Sequence, residues 1–144
     1  MNPLDKVGCW MTEKPATIDA KASIIEAIHL MKEKEIRRLP VTRDGRFVGL
    51  ITDRMITEYS PSKATSLDTW ELHYVLSKTC VADAMNPHPY TVTAEESLTA
   101  ATQLIIDQKL YGLCVVDGAG ELVGILTTTD LLKALVSMVG TSSG

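Results

Sequence analysis

Long apolar runs are missing from this 144-residue sequence, and no stretch approaches the roughly 20 residues that a membrane span needs. The opening MNPLDKVGCWMTEKP also lacks the charged and apolar zones of a secretory leader. The expectation is a soluble, cytoplasmic chain with no membrane partner. Positive charge is not in excess: 14 Lys and Arg against 18 Asp and Glu leave a formal charge of -4, which provides no basic field for nucleic acid. Cysteine is scarce. Cys9, Cys80 and Cys114 form an odd set without CxxC spacing, so neither a disulfide framework nor a zinc site is expected, and Cys114, inside LCVV, reads as a small core residue. His29, His73 and His88 are scattered without metal-ligand spacing and read as structural or exposed. Glycine-rich phosphate loops, a GxSxG elbow and recognisable nucleophile motifs are all absent, so nothing in the sequence asks for catalysis.

What is present is an internal repeat. Met11, Pro15, Thr17, Ile18, Ser23 and Ala27 recur 74 residues later as Met85, Pro89, Thr91, Val92, Ser97 and Ala101. The register holds through Leu39 and Val41 to Leu113 and Val115. It then slips by one across the turns RDG and DGAG, so Gly49 and Thr52 match Gly124 and Thr127 at a spacing of 75. A hairpin turn is where an insertion disturbs least. With 45% hydrophobic residues, the chain is long enough for one compact core or two small ones that share an interface.

Each copy reads as a short extended segment after proline, an amphipathic helix, two strands joined by a tight turn, and a closing helix. The first helix opens with Ser23-Ile24-Ile25-Glu26, a capping-box pattern, and its apolar face follows at Ile24, Ala27, Ile28 and Met31; Leu98, Ala101 and Ile105 repeat that face. Strands are expected at Leu39 to Thr42 and Phe47 to Ile51, flanking Asp44-Gly45. A second pair is expected at Gly112 to Val116 and Leu122 to Leu126. Between the copies, Asp68-Thr69-Trp70-Glu71 caps a short helix with Trp70 and Tyr74 on one face. That pair packs the helix on the module, makes a dimer contact or covers a ligand. The expected organisation is repeat one over 7–59, a linker with a short helix over 60–80, repeat two over 81–136 and a flexible tail over 137–144.

Met-Thr, Pro-Ala-Thr-Ile, a helix, Arg-Arg-Leu-Pro-Val, a turn and Val-Gly-Leu-Ile-Thr in copy one, with Val-Gly-Ile-Leu-Thr-Thr-Thr-Asp-Leu-Leu in copy two, resemble the cystathionine-beta-synthase (CBS) domain. The linker SLDTWELHYVLSK is similar to those in the CBS pairs of acetoin-utilisation-type proteins. The resemblance implies an α/β (α+β) fold of two repeats, each a three-stranded sheet with two helices, packed about a pseudo-twofold axis with two clefts between them. It also implies a homodimer and an adenine nucleotide (AMP, ADP or ATP) as ligand.

The helix start at Thr127-Thr128-Thr129-Asp130 offers N–H groups and a dipole that favour phosphate. By resemblance, Asp130 would accept from ribose hydroxyls, Thr127 and Thr129 would donate to phosphate, and the backbone of Thr91-Val92 would read the adenine edge. The same residues are also ordinary helix caps. Copy one departs from the pattern: Thr52-Asp53-Arg54-Met55 puts Met55 where Asp130 stands, and Asp53, two positions earlier, points roughly 200 degrees away. The second cleft, with Thr17, Ile18, Thr52 and Met55, is therefore expected to be weaker or altered. Arg37 and Arg38 either clamp phosphate or form a solvated basic pair ending the helix KEKEIRR. The leading expectation is a non-catalytic regulatory module acting on an unknown effector protein. Its alternative is a ligand-free dimerisation scaffold using apolar surface on Ile24 to Met31 and Leu131 to Met138.

Overall fold

The structure, a computed structural model, describes residues 5–64 and 68–143, with side chains for 5–59 and 68–140. After a single 3-10 turn at Val7–Cys9, the elements run β1 Thr12–Glu13, β2 Ile18–Asp19, α1 Ile24–Lys34, β3 Arg38–Arg43, β4 Arg46–Thr52, α2 Asp53–Ala64 and α3 Thr69–Lys78. They continue with α4 Val81–Ala84, β5 Thr91–Val92, α5 Leu98–Gln108, β6 Gly112–Val116, β7 Leu122–Thr127 and α6 Thr128–Ser143. Among the described residues no helix is long and apolar enough to cross a membrane.

Local sequence explains most of these elements. At the start of α1, Ser23 Oγ accepts from Glu26 N–H at 3.1 Å and Glu26 Oε2 accepts from Ser23 N–H at 2.8 Å, so the capping box forms as expected. Ser97 makes one half of that exchange at the start of α5, its Oγ accepting from Ala100 N–H. Both helices end on a left-handed residue without glycine, Glu35 and Lys109 at φ 55° and 56°. Asp44 and Gly45, at φ 53° and 79°, make the two-residue turn that joins β3 to β4. In the longer turn of the second hairpin, Asp117 Oδ1 accepts from Ala119 and Glu121 N–H.

The chain divides into two compact units that do not follow the sequence repeats. One is continuous, Ala16–Pro89; the other joins the segment ending at Pro15 to everything from Tyr90 onward. The continuous unit holds the three-stranded sheet β2-β3-β4, with β2 parallel and β4 antiparallel to β3. Its core gathers Ile18, Ile24, Ala27, Met31, Leu39, Val41, Ile51, Leu76 and Val81. The discontinuous unit holds the four-stranded sheet β1-β7-β6-β5, with a core of Val7, Val92, Leu98, Ala101, Ile105, Leu113, Val115 and Leu126.

The opening segment of each repeat is thus built into the unit that holds the sheet of the other: β1 as a strand of the four-stranded sheet, and residues 81–86 as a helix and a single bridge beside the three-stranded one. Val7 N–H donates to Glu96 O at 3.0 Å and Gly8 N–H to Ala94 O at 2.9 Å; in the continuous unit, Val81 N–H donates to Ala22 O at 2.7 Å and Ala82 N–H to Ala20 O at 3.0 Å. Downstream, Thr12 and Glu13 pair with Ile125 and Gly124, and Asn86 exchanges both backbone bonds with Leu50. Each crossing lies beside a bulge, where β4 and β7 each have one residue more than their partner.

Glycine permits both crossings. A Cβ on Gly124 would lie 2.7 Å from Met11 Sδ and 2.9 Å from Thr12 O, and one on Gly49 would lie 2.7 Å from Asn86 O and 2.8 Å from Met85 Sδ.

Two expected boundaries move. α2 runs on to Ala64, and α6 runs on through Ser143 where a flexible tail from 137 was expected; Ser137, Met138 and Val139 contain no residue that stops a helix. Residues 65–67 of the expected linker, together with residue 144, lie outside the described residues.

Gly124→Ala should destabilise the protein by about 1–3 kcal/mol through overpacking against Met11 and Thr12. Gly118→Ala, whose Cβ meets nothing within 4 Å, should stay within about 0.5 kcal/mol of wild type. Urea unfolding of the two variants checks the contrast, and equal midpoints would refute the close-approach account.

Candidate functional site

Asp130 is the one charged side chain buried among the described residues, at 6% exposure. It sits at the third position of α6, where a carboxylate is favoured by the helix dipole. Its Oδ2 accepts from Thr127 N–H at 2.9 Å and from Thr127 Oγ1 at 3.2 Å, while Oδ1 accepts from Thr12 Oγ1 at 3.3 Å. Asp130 is therefore a helix cap, as the plainer sequence reading holds, but its two oxygens are loaded unequally. A carboxylate offers about four lone-pair sites. Three are engaged here, and the open one is on Oδ1.

Thr127 ends β7 and Thr129 is exposed on the first turn of α6. Thr91 and Val92 form β5, paired in parallel with Cys114 and Val115 of β6, while Thr127 pairs with Gly112 on the opposite side of β6. Two strand spacings separate β5 from β7, about 10 Å. The Val92 side chain is core, at 5% exposure, so this position can meet a ligand only through its backbone. These residues come together in one unit, on one sheet and the helix that leaves it.

The equivalent place in the continuous unit is built differently. Thr52 Oγ1 there accepts from Met55 N–H at 3.1 Å, the ordinary cap that Thr127 forgoes when its hydroxyl turns to Asp130. Met55 is half-buried and has no acceptor to offer a diol. Asp53 Oδ1 is taken by Arg54 N–H at 2.7 Å, and Arg54 pairs with Glu58. Ile18 is buried and pairs with Val41, and Thr17 is exposed just ahead of it.

Arg37 and Arg38 do not end a helix. α1 stops at Lys34 because Glu35 turns left-handed, Arg38 opens β3 opposite Thr52, and the exposed Arg37 uses its carbonyl to accept from Asp53 N–H. Tyr111 and Thr128 repeat that last bond. Both arginines lie in the continuous unit and Asp130 in the other.

The expectation that Trp70 and Tyr74 pack α3 against the module is corrected. Trp70 is 85% exposed and Tyr74 64%, with Lys78 Nζ 5.8 Å from the Tyr74 ring centre. Leu72 and Leu76, on another face, make the contact instead. The stripe Ile24, Ala27, Met31 is core and offers no scaffold surface, whereas Leu132, Leu135, Val136, Met138 and Val139 of α6 are exposed. Thr12 is the site residue that sequence reasoning missed. It stands 118 positions from its partner, and no local pattern links the two.

The CBS domain model matches the chain twice, over residues 7–62 and 81–137. The CBS domain-containing protein CBSX2, chloroplastic, of Arabidopsis thaliana is 30% identical over 152 residues, covering 92% of this chain and 64% of its own length. The chain thus spans under two thirds of that relative. The crystal structure of CBSX2 in complex with AMP superposes with a TM-score of 0.78 at 28% identity, over 92% of this chain and 97% of that one. The acetoin utilization protein AcuB from Vibrio cholerae has the same fold, with a TM-score of 0.80 at 21% identity, over 96% and 95% of the two chains. The two family matches together cover most of the sequence, and the sheets and helices they span are those of solved CBS pairs: the chain belongs to the CBS domain family and carries two CBS domains in tandem.

Proposed function

We propose that the chain is a non-catalytic regulatory module that binds an adenine nucleotide at Asp130 and passes that binding to an effector protein through a conformational or dimer change. The observation that carries this reading is the uneven loading of the Asp130 carboxylate. Oδ2 is committed to the α6 cap, while Oδ1 holds one long bond and keeps a lone pair open to a donor such as a ribose hydroxyl. Capping and binding are then compatible roles of one side chain. The AMP in the CBSX2 complex supports the choice of ligand class.

In this reading Thr129 serves phosphate and the Thr91-Val92 backbone meets the base, while Thr127, whose N–H and hydroxyl are both given to Asp130, holds that carboxylate in place. The site around Thr17, Ile18, Thr52 and Met55 is weaker because its diol acceptor is missing. The protein acts as a cytoplasmic homodimer, with the exposed apolar residues of α6 as the contact. Regulation requires that the ligand prefer one state, since equal affinity for two states shifts neither. Those exposed α6 residues also favour a second reading, a ligand-free dimerisation scaffold.

Calorimetric titration of AMP, ADP and ATP distinguishes the two. The nucleotide module should give heat with at least one of them, lose roughly tenfold or more in affinity with Asp130→Ala, and gain a second site with Met55→Asp. No heat up to millimolar nucleotide decides for the scaffold. Asp130→Ala also strips the Thr127 N–H of its acceptor and should lower unfolding free energy by about 1–3 kcal/mol in urea, so titrations belong well below its melting transition. Light scattering with and without AMP should show a dimer. A monomer under both conditions excludes the α6 contact.

A further inference from the structure

We infer that Thr12 is a positioning residue that sets the ligand affinity of Asp130 by competing for the same carboxylate oxygen. The inference rests on the nucleotide reading above. A vicinal diol that meets a carboxylate squarely donates two hydrogen bonds, one to each of two open lone pairs. Asp130 has one open, because Oδ2 already accepts twice from Thr127 and Oδ1 accepts from Thr12. The two bonds from Thr127 are tied to the α6 start. The bond from Thr12 is the longest of the three and comes from an exposed residue. It is the one that yields: rotating the Thr12 hydroxyl away frees the second lone pair.

The donor is held in place by distant contacts rather than by Asp130 itself. Val7 is fully buried and Met11 N–H donates to Val7 O, so the backbone that presents Thr12 stays seated when its hydroxyl turns. The arrangement is confined to one unit. At the matching positions of the other, Asn86 directs its Oδ1 to His88 N–H at 2.9 Å and Met55 has no carboxylate to hold. Donor and acceptor thus change together between the two copies.

Thr12→Val keeps the shape and β-branching suited to an exposed strand position while deleting the hydroxyl. Calorimetric titration should show it binding AMP about 2- to 10-fold tighter than wild type, because the ligand no longer displaces a bond. Affinity for 2′,3′-dideoxyadenosine monophosphate, which has no diol to compete, should be the same in both proteins. Thr12→Ser, which restores the hydroxyl, should return AMP affinity to the wild-type value. Unchanged or weaker AMP binding by Thr12→Val, or an equal gain with the dideoxy nucleotide, overturns the competition. Wild-type protein that gives no heat with AMP overturns the nucleotide reading and this inference with it, an outcome distinct from wild-type binding that Thr12→Val leaves unimproved.

Discussion

Val7 buries its whole side chain among Val92, Leu98 and Leu126, while its N–H bonds to Glu96; Val81 does the same for the core of Ile24, Leu39 and Ile51 and bonds to Ala22. Neither core is complete without a segment that the sequence assigns to the other repeat. A repeat of about 55 residues is marginal on its own, and the exchange supplies each core with a buried valine it does not encode locally. The two glycines follow from this: Gly49 and Gly124 are the points where a foreign backbone comes within side-chain reach of a strand. So do the bulges, which bend β4 and β7 at the crossing.

The same exchange delivers Thr12 to Asp130. The acidic residue is encoded near the end of one repeat and its third donor near the start of the other, so the site is a joint product of both copies while lying within one compact unit. The copies differ through small hydrogen-bond substitutions on a common frame. Thr52 and Thr127 occupy one backbone position, but the first accepts from Met55 N–H and the second turns its hydroxyl to a carboxylate. The shared frame sets the geometry, and Met55 and Asn86 stand in one copy where Asp130 and Thr12 form the polar pair in the other.

Much of this is legible in the chain itself. Ser23 and Glu26 announce α1, Asp44-Gly45 announces the first hairpin, and the one-residue slip in register falls in the hairpin turns, where the two loops differ in length. Asp130 is legible because a carboxylate three residues after threonine at a helix start has a recognisable chemistry. What escapes is non-local or lacks a residue signal. The strands β1, β2 and β5 are two residues long, too short for periodicity, and the partner of β1 lies more than a hundred positions away. The ends of α1 and α5 fall on Glu35 and Lys109, which take a left-handed conformation that glycine or asparagine would have advertised. Trp70 was read by its apolarity, yet Leu72 and Leu76 occupy the inward face of α3.

The discontinuity of one unit imposes an order on synthesis. Ala16–Pro89 is unbroken, so it has all its core residues once Pro89 has emerged, and it can condense while the chain is still being extended. The segment carrying Val7 and Thr12 has no such option, because Glu96, Ile125 and Asp130 do not yet exist. This segment is made before its partners and folds only after they emerge. Until β7 arrives, Val7, Trp10 and Met11 lack part of the core they pack against, and pairing β1 with β7 closes a loop of more than a hundred residues.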